Sequence, residues 1–249
     1  MKKHFYLLIC ITWLNFSCSS EPINSQEQNI IKEFSPEEIT EEEHFENPSS
    51  IKLLSLGDSY TIGQSVCETC RFPEQLKSRL LSRLNPNISI QLDLIAKTGW
   101  TTSGLKKAIN TNNVPENYNL VTLLIGVNNQ YQGLPFSVFQ SEFPQLVNTA
   151  IKKAKSNKNK VIVISIPDYA YTPFGRGNTN ISEEINKYNN FAKNYCLQNN
   201  ISYVYITDIT RQGLTNPDLV ATDGLHPSKL AYSLFVDKLL PLSIDKLKN

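Results

Sequence analysis

Leu120-Val121-Thr122-Leu123-Leu124-Ile125-Gly126 is apolar at every position but Thr122 before it closes on a glycine. A strand with one wet face alternates in polarity, whereas a strand covered on both faces, as in a parallel sheet, is apolar nearly throughout. Residues 161–166, stopped by Pro167, repeat the pattern, as do residues 51–56, which end at Gly57, and residues 201–206. Residues 88–95 alternate and make a further strand. Helical spacing fills the intervals. Leu76, Leu80, Leu81 and Leu84 predict a helix over 72–84, stopped by Asn85-Pro86. A short helix is expected at 103–109, and a longer one over 136–155 that Pro144 kinks or restarts. Ser182 can cap a helix to about residue 199, with Glu183 and Glu184 in its first turn, where the helix dipole favours anions. A last helix over 228–247 is bent or broken at Pro241. Five strands alternating with helices, without an internal repeat, predict a doubly wound α/β sandwich in one domain.

That domain occupies residues 51–249, and the segment before it has a different composition. The net charge of the 249 residues is +1, but residues 1–20 carry two lysines and no acid, residues 21–50 carry nine glutamates against Lys32, and the remainder is basic by 7. Met1-Lys2-Lys3 followed by the apolar stretch from Phe5 to Leu14 has the form of a bacterial export signal. Its apolar run is too short for a membrane span, which needs about 20 residues. Asn15-Phe16-Ser17-Cys18 resembles a lipobox, which implies a signal peptide over 1–17 and a lipid on Cys18; bulky Ile9 makes Cys10 a poor competitor. Ordinary cleavage and secretion is the alternative. Residues 18–50, with Glu41-Glu42-Glu43 among prolines and serines, read as an acidic, disordered tether. The expected location is the cell envelope, either periplasm or outer membrane, with the membrane reached through the lipid.

Export frames the cysteines. In an oxidising compartment Cys67-Glu68-Thr69-Cys70 can close a small disulfide. A redox dithiol, half a zinc site and two free thiols are the competing readings, and the loop staple is preferred. No second Cys/His pair has zinc spacing, and His4, His44 and His226 are scattered, so no metal is expected. Cys196 reads as a buried helix residue.

Ligands of open α/β sheets bind beyond the carboxyl ends of the strands. Four features fall there: Gly57-Asp58-Ser59-Tyr60 after the first strand, Thr98-Gly99-Trp100 after the second, Gly126-Val127-Asn128-Asn129 after the third, and Asp223-Gly224-Leu225-His226-Pro227 before the last helix. Each alone is a common turn, and a lone histidine is more often structural. Their order, each at a strand's end, assigns them roles. A serine hydroxyl needs an adjacent base, and His226 is the histidine within the predicted domain, so Ser59 and His226 are the candidate nucleophile and base. Asp223, three residues before it, can accept the imidazole Nδ1–H and fix the tautomer. The backbone N–H groups of Ser59 and Gly99 and the Asn128 side-chain amide can stabilise an oxyanion. Asp58 is expected to bond nearby backbone N–H groups rather than the imidazole.

These residues resemble the SGNH/GDSL hydrolase family, in which Ser59, Gly99, Asn128 and His226 match the four residues that name it. The resemblance spans nearly all of 51–249 and identifies the chain as a lipoprotein-type member. It implies a flavodoxin-like three-layer α/β/α sandwich with a five-stranded parallel sheet, and serine esterase chemistry without metal or other cofactor. Tyr60 stands where that family has leucine, a change expected to matter little. Asn129 stands where it has aspartate, which bears on loop support rather than on the Asn128 donor. A standard α/β-hydrolase is disfavoured, because Ser59-Tyr60-Thr61 lacks the second glycine of Gly-x-Ser-x-Gly.

The expected activity is hydrolysis of short-chain or carbohydrate-borne acyl esters through an acyl-enzyme, on a small-molecule, glycan or lipid substrate. Lysophospholipase or thioesterase action by the same mechanism is the alternative within the family. A non-catalytic glycan- or lipid-binding lipoprotein is the alternative outside it, disfavoured because nucleophile, base and acid are all present. Leu134-Pro135-Phe136 and the segment 167–174, with Tyr169, Tyr171 and Phe174, either wall the pocket or pack their own loops. No nucleic-acid partner is expected.

Overall fold

The computed structural model describes residues 50–248. The signal peptide, Cys18 and the tether up to residue 49 lie outside the described residues. Five parallel strands, β1 (Ser50–Gly57), β2 (Ser89–Ala96), β3 (Leu120–Leu124), β4 (Val161–Ile164) and β5 (Ser202–Val204), form one sheet in the order β2-β1-β3-β4-β5. The helices in chain order are α1 (Ser59–Ile62), α2 (Phe72–Leu81), α3 (Thr102–Thr111), α4 (Val127–Tyr131), α5 (Phe136–Lys153), α6 (Thr179–Gln198), α7 (Thr207–Thr210) and α8 (Lys229–Lys248). α2 packs beside α8, while α5 packs against both α3 and α6. The sheet is the middle layer of a three-layer α/β/α sandwich. β3 and β4 are buried along their whole length, as their almost wholly apolar sequences require, whereas edge strand β2 is only partly covered.

Among the boundaries that differ from the periodicity, including α2, which ends at Leu81 rather than residue 84, three have a reason visible in the hydrogen bonds. α6 begins at Thr179 because Asn178 accepts the Asn180 N–H and caps it; Ser182 is inside the helix and gives its hydroxyl to Asp168 Oδ2 at 2.6 Å. β4 stops at Ile164 because the Ile166 N–H goes to Asn189 Oδ1. β5 stops at Val204 because Ser165 Oγ accepts the Ile206 and Thr207 N–H groups and turns the chain into α7. The prolines break neither long helix. α5 continues through Pro144 and α8 through Pro241, carried by the buried Phe143, Leu146 and Val147 and by Leu239 and Ser243. Packing of these faces outweighs the roughly 3 kcal/mol that an internal proline costs.

The strand register aligns the loops at the carboxyl edge. Gly57 pairs with Ala96 of β2 and with Leu124 of β3, so the chain leaves three neighbouring strands from nearly one line. The strand order reverses between β1 and β3, which opens a crevice at that edge.

Candidate active site

The turn after β1 is dictated by close packing. A Cβ on Gly57 would lie 2.1 Å from Thr61 Oγ1 and 2.4 Å from the Leu124 carbonyl, so only glycine lets the chain fold directly into α1. Asp58 is fully buried and caps that helix, its Oδ1 accepting the Tyr60 N–H at 3.0 Å. Burial pushes its carboxyl up to about 7, against the pull of that backbone bond. The carboxylate beside Ser59 is thus committed to the turn, while Ser59 opens α1.

Gly99 has φ +82°, and an added Cβ there would meet nothing within 4 Å. Conformation, not crowding, demands glycine, and the open space in front of it is the crevice. At Gly126 both demands apply: φ is +128°, and a Cβ would lie 2.5 Å from the Phe139 ring. This glycine starts α4, which carries Asn128. The Asn128 amide donates one proton to the Trp100 carbonyl at 3.1 Å, leaving the second for the crevice. Gln132 ties the same loop down by donating to the Gly99 carbonyl at 2.9 Å.

His226 sits on a loop closed by the Val220–Pro227 bridge and by a hydrogen bond from the Ala221 N–H to the His226 carbonyl. Asp223 Oδ1 accepts the Leu225 and His226 N–H groups, each at 2.9 Å, and Oδ2 lies 2.6 Å from His226 Nδ1. A carboxylate only accepts, so this contact holds a proton on Nδ1 and leaves Nε2 as the lone-pair nitrogen of the neutral ring. Burial opposes the Asp223 charge, yet hydrogen bonds from Ser65, from the His226 backbone and ring and from Leu225 hold the carboxyl well below the usual carboxylate range. The Tyr60 ring packs 5.1 Å from the imidazole, so the residue at the family's leucine position walls the His226 ring.

Ser59, Gly99, Asn128 and His226 line one cavity of about 190 Å³ with Tyr60, Tyr131, Tyr169 and Leu225. Cys67 and Cys70 are joined by a disulfide, Cα–Cα 5.0 Å, on the loop after α1. Phe136 does not wall the cavity; it is packed with Phe139 of α5 against Tyr188 and Phe191 of α6. Tyr169 is buried and gives its hydroxyl to Gln130, while Phe174 is about half exposed. Tyr131 belongs to no motif legible in the sequence. It stands 6.0 Å from Tyr169 and 6.1 Å from Phe174, ring to ring, at the rim.

Asn129 retains loop support by a different hydrogen-bond polarity. Its Oδ1 accepts the Thr102 N–H at 2.9 Å and its Nδ2 donates to Thr102 Oγ1 at 2.7 Å, both buried. Thr102 has one hydroxyl proton, and that goes to Glu142 Oε2 at 2.5 Å. Burial works against the charge on Glu142, but bonds from Thr102, Ser103 and Lys106 hold it ionised below its ordinary range. Thr102 Oγ1 must therefore accept from residue 129, which an amide permits and a carboxylate does not. Asn129→Asp is expected to destabilise the fold by about 1–3 kcal/mol. Adding Glu142→Gln supplies a donor to Thr102, frees the threonine proton for the carboxylate introduced at position 129 and recovers most of the loss. Urea unfolding of the two single variants and the double variant measures this; an Asn129→Asp protein as stable as the parent would refute the polarity.

A parallel sheet with a Ser, a His–Asp pair and amide donors gathered at its carboxyl edge defines an α/β/α sandwich of the hydrolase kind. The chain belongs to the GDSL-like lipase/acylhydrolase family, whose model matches residues 55–234. Among solved structures it is similar to TesA, with TM-score 0.61 and 15% identity, covering 78% of this chain and 99% of that one. It is similar to the psychrotrophic esterase EstA from Pseudoalteromonas sp., in a structure inhibited by monoethylphosphonate, with TM-score 0.55 and 18% identity over 80% of this chain and 99% of the other. Axe2, an acetylxylan esterase from Geobacillus stearothermophilus, gives TM-score 0.56 and 18% identity over 79% and 94%. At these identities the structural likeness concerns the fold. No curated protein is a significant sequence match.

Proposed function

We propose that this protein is a serine ester hydrolase acting on short acyl groups, carried as esters by carbohydrate or another bulky alcohol. The observation that carries the reading is the His226 Nδ1–Asp223 Oδ2 contact of 2.6 Å beside a cavity that Ser59, Gly99 and Asn128 also line. Ser59 Oγ attacks the ester carbonyl as His226 Nε2 takes its proton. The Ser59 and Gly99 N–H groups and the free Asn128 amide proton receive the oxyanion, each such donor being worth about 3–4 kcal/mol in the transition state. Collapse expels the alcohol, which takes the proton back from His226. Water, activated by the same imidazole, then hydrolyses the acyl-enzyme. Asp223 stays ionised throughout and stabilises the imidazolium.

Acyl length follows from volume. About 190 Å³ is below the roughly 300–1,000 Å³ of pockets that enclose drug-sized ligands. The acyl group fits inside, and the alcohol portion must lie outside, against Tyr131 and Phe174, which are 56% and 49% exposed. Aromatic faces of this kind stack on sugar rings. The acetylxylan esterase and esterase among the structural neighbours support the same reading.

We further propose that the protein is an exported cell-envelope lipoprotein anchored through Cys18. The signal-like sequence before Cys18 and the Cys67–Cys70 disulfide support an oxidising compartment. One set of assays on the full chain expressed in bacteria tests both proposals. kcat/KM is expected to be highest for acetyl or propionyl esters and to fall with chain length, with acetylated xylo-oligosaccharides cleaved. Labelled palmitate should be incorporated by the parent and not by Cys18→Ser. A maximum at octanoyl or longer esters, or on lysophospholipid, would sink the short-acyl reading; an unlabelled parent would sink the anchor.

A further inference from the structure

The loop joining α1 to α2 makes a contact that no motif announces. Ser65 Oγ donates to Asp223 Oδ2 at 2.6 Å, across 158 positions of sequence. The carboxylate then holds four donors, two on each oxygen: the Leu225 and His226 N–H groups on Oδ1, and Nδ1–H and the Ser65 hydroxyl on Oδ2. That is about its full acceptor capacity. Ser65 reaches this point in a conformation it would not choose, with φ +66°, outside the regions favoured by residues other than glycine, asparagine and aspartate.

The loop is held in shape around it. A Cβ on Gly63 would lie 2.5 Å from Arg71 Cβ, so the two ends of the loop touch. Arg71 is fixed by Glu68 and Glu74, and Gln75 donates to the Cys70 and Lys229 carbonyls. Between those ends the Cys67–Cys70 disulfide closes the turn two residues beyond Ser65. Gln64, beside Ser65 on its other side, accepts from Thr98, the residue before Gly99.

We propose that Ser65 is a positioning residue for the Asp223–His226 pair, and that the Cys67–Cys70 disulfide clamps it there, so that thiol–disulfide exchange at this loop adjusts the catalytic base. The proposal rests on the serine-hydrolase reading for its consequence in turnover, but not for the contact itself. Exchange with a dithiol reductant is balanced. One of its thiolates attacks a sulfur of the pair, giving a mixed disulfide, and its second thiol closes to a cyclic disulfide. The two electrons and two protons pass to Cys67 and Cys70. Cys67 is exposed, while Cys196 is buried with its thiol pushed up to about 12, so this chemistry is confined to the loop among the described residues.

The Ser65 hydroxyl competes with Nδ1–H for the same oxygen. Its loss leaves Oδ2 more strongly attractive to the imidazolium, so His226 binds its proton more tightly and the acid limb of kcat/KM moves to higher pH. The other titratable groups near the imidazole are Tyr60 of α1, with buried Asp58 and Tyr232 behind it, and Tyr169 and Asp168 of the loop after β4. None of these changes in the variants below.

The test is the titration of the His226 imidazole by NMR in the Ser59→Ala background, where turnover plays no part, with the kcat/KM profile measured in parallel in the active enzyme. Ser65→Gly accepts the positive φ freely and Ser65→Ala does not, but both lack the hydroxyl. Both are expected to raise the midpoint by roughly a few tenths of a pH unit and to lower kcat by about threefold to tenfold. Dithiothreitol, or the paired Cys67→Ser and Cys70→Ser changes, should raise the midpoint in the same direction, with no further effect once Ser65→Gly is present. A Ser65→Gly titration identical to the parent would overturn the positioning role. A midpoint unmoved by reduction, with Ser65→Gly shifted, would overturn the clamp. Loss of all turnover in the parent enzyme would reject the hydrolase reading and leave the imidazole titration to decide this one.

Discussion

Ser59→Ala and His226→Ala are each expected to lower kcat for p-nitrophenyl acetate by a factor on the order of 10⁶, and the double variant to fall no further. The two side chains act as one unit in this reading: without the imidazole the hydroxyl keeps its proton, and without the hydroxyl there is nothing for the imidazole to activate. In the proposed mechanism, residual turnover comes from the Gly99 and Asn128 donors and from binding alone. A fluorophosphonate should label the parent and not Ser59→Ala. Ser59 and His226 lie beside one cavity and their replacement by alanine leaves the sheet untouched, so both variants should melt within a few degrees of the parent. An unlabelled parent would convert the protein into a binding module on a hydrolase scaffold. Additive losses in the double variant would show that another base serves Ser59.

Asp223→Asn is expected to reduce kcat by about 10⁴ with the fold intact. The reason lies in which atom faces which. Two backbone N–H groups, of Leu225 and His226, point at Oδ1, so an asparagine must place its carbonyl oxygen there. Its NH₂ then occupies the Oδ2 position and points at His226 Nδ1 and at Ser65. A donor facing Nδ1 moves the imidazole proton to Nε2, the atom that accepts the proton of Ser59 in the proposed mechanism. The variant enzyme should thus hold the wrong tautomer, which nitrogen chemical shifts of the ring report directly. The acid side adds a stability signature. Because the native carboxyl is held below its ordinary range, the stability it contributes is fully present above its unfolded pKa of about 3.9 and is lost as pH falls below that value. Asp223→Asn should therefore remove part of the acid sensitivity of unfolding. Activity within tenfold of the parent would show that Asp223 does not orient the base.

Much of the site is readable in the sequence because it lies at strand ends. The apolar runs at 51–56 and 120–125 locate β1 and β3, and Gly57 and Gly126 mark where each chain must turn sharply, so Ser59 and Asn128 fall at one edge by topology alone. Asp223 and His226 are legible for another reason: their separation of three residues lets one loop close the carboxylate onto both the backbone and the ring. Ser182 shows the limit. Local chemistry makes it an N-cap, yet the hydroxyl is claimed by buried Asp168, which Arg211 also engages from 43 residues away, and Asn178 caps the helix instead. Phe136 shows it again, for a residue adjacent to the asparagine loop turns inward to an aromatic cluster rather than outward to the cavity.

By itself the sequence determined the alternation of strands and helices, the glycines at which β1 and β3 close and the residue types able to do the chemistry, because periodicity, glycine and short-range pairing are local properties of a chain. Only the tertiary structure decided the partners. That Ser65 completes the shell of Asp223, that Thr102 and Glu142 make an amide fit at 129, and that Tyr131 joins Tyr169 and Phe174 at the rim depend on groups brought together from loops 27 to 158 residues apart. A hydrogen bond is directional and short, so its donor and acceptor are known only when both ends have been placed.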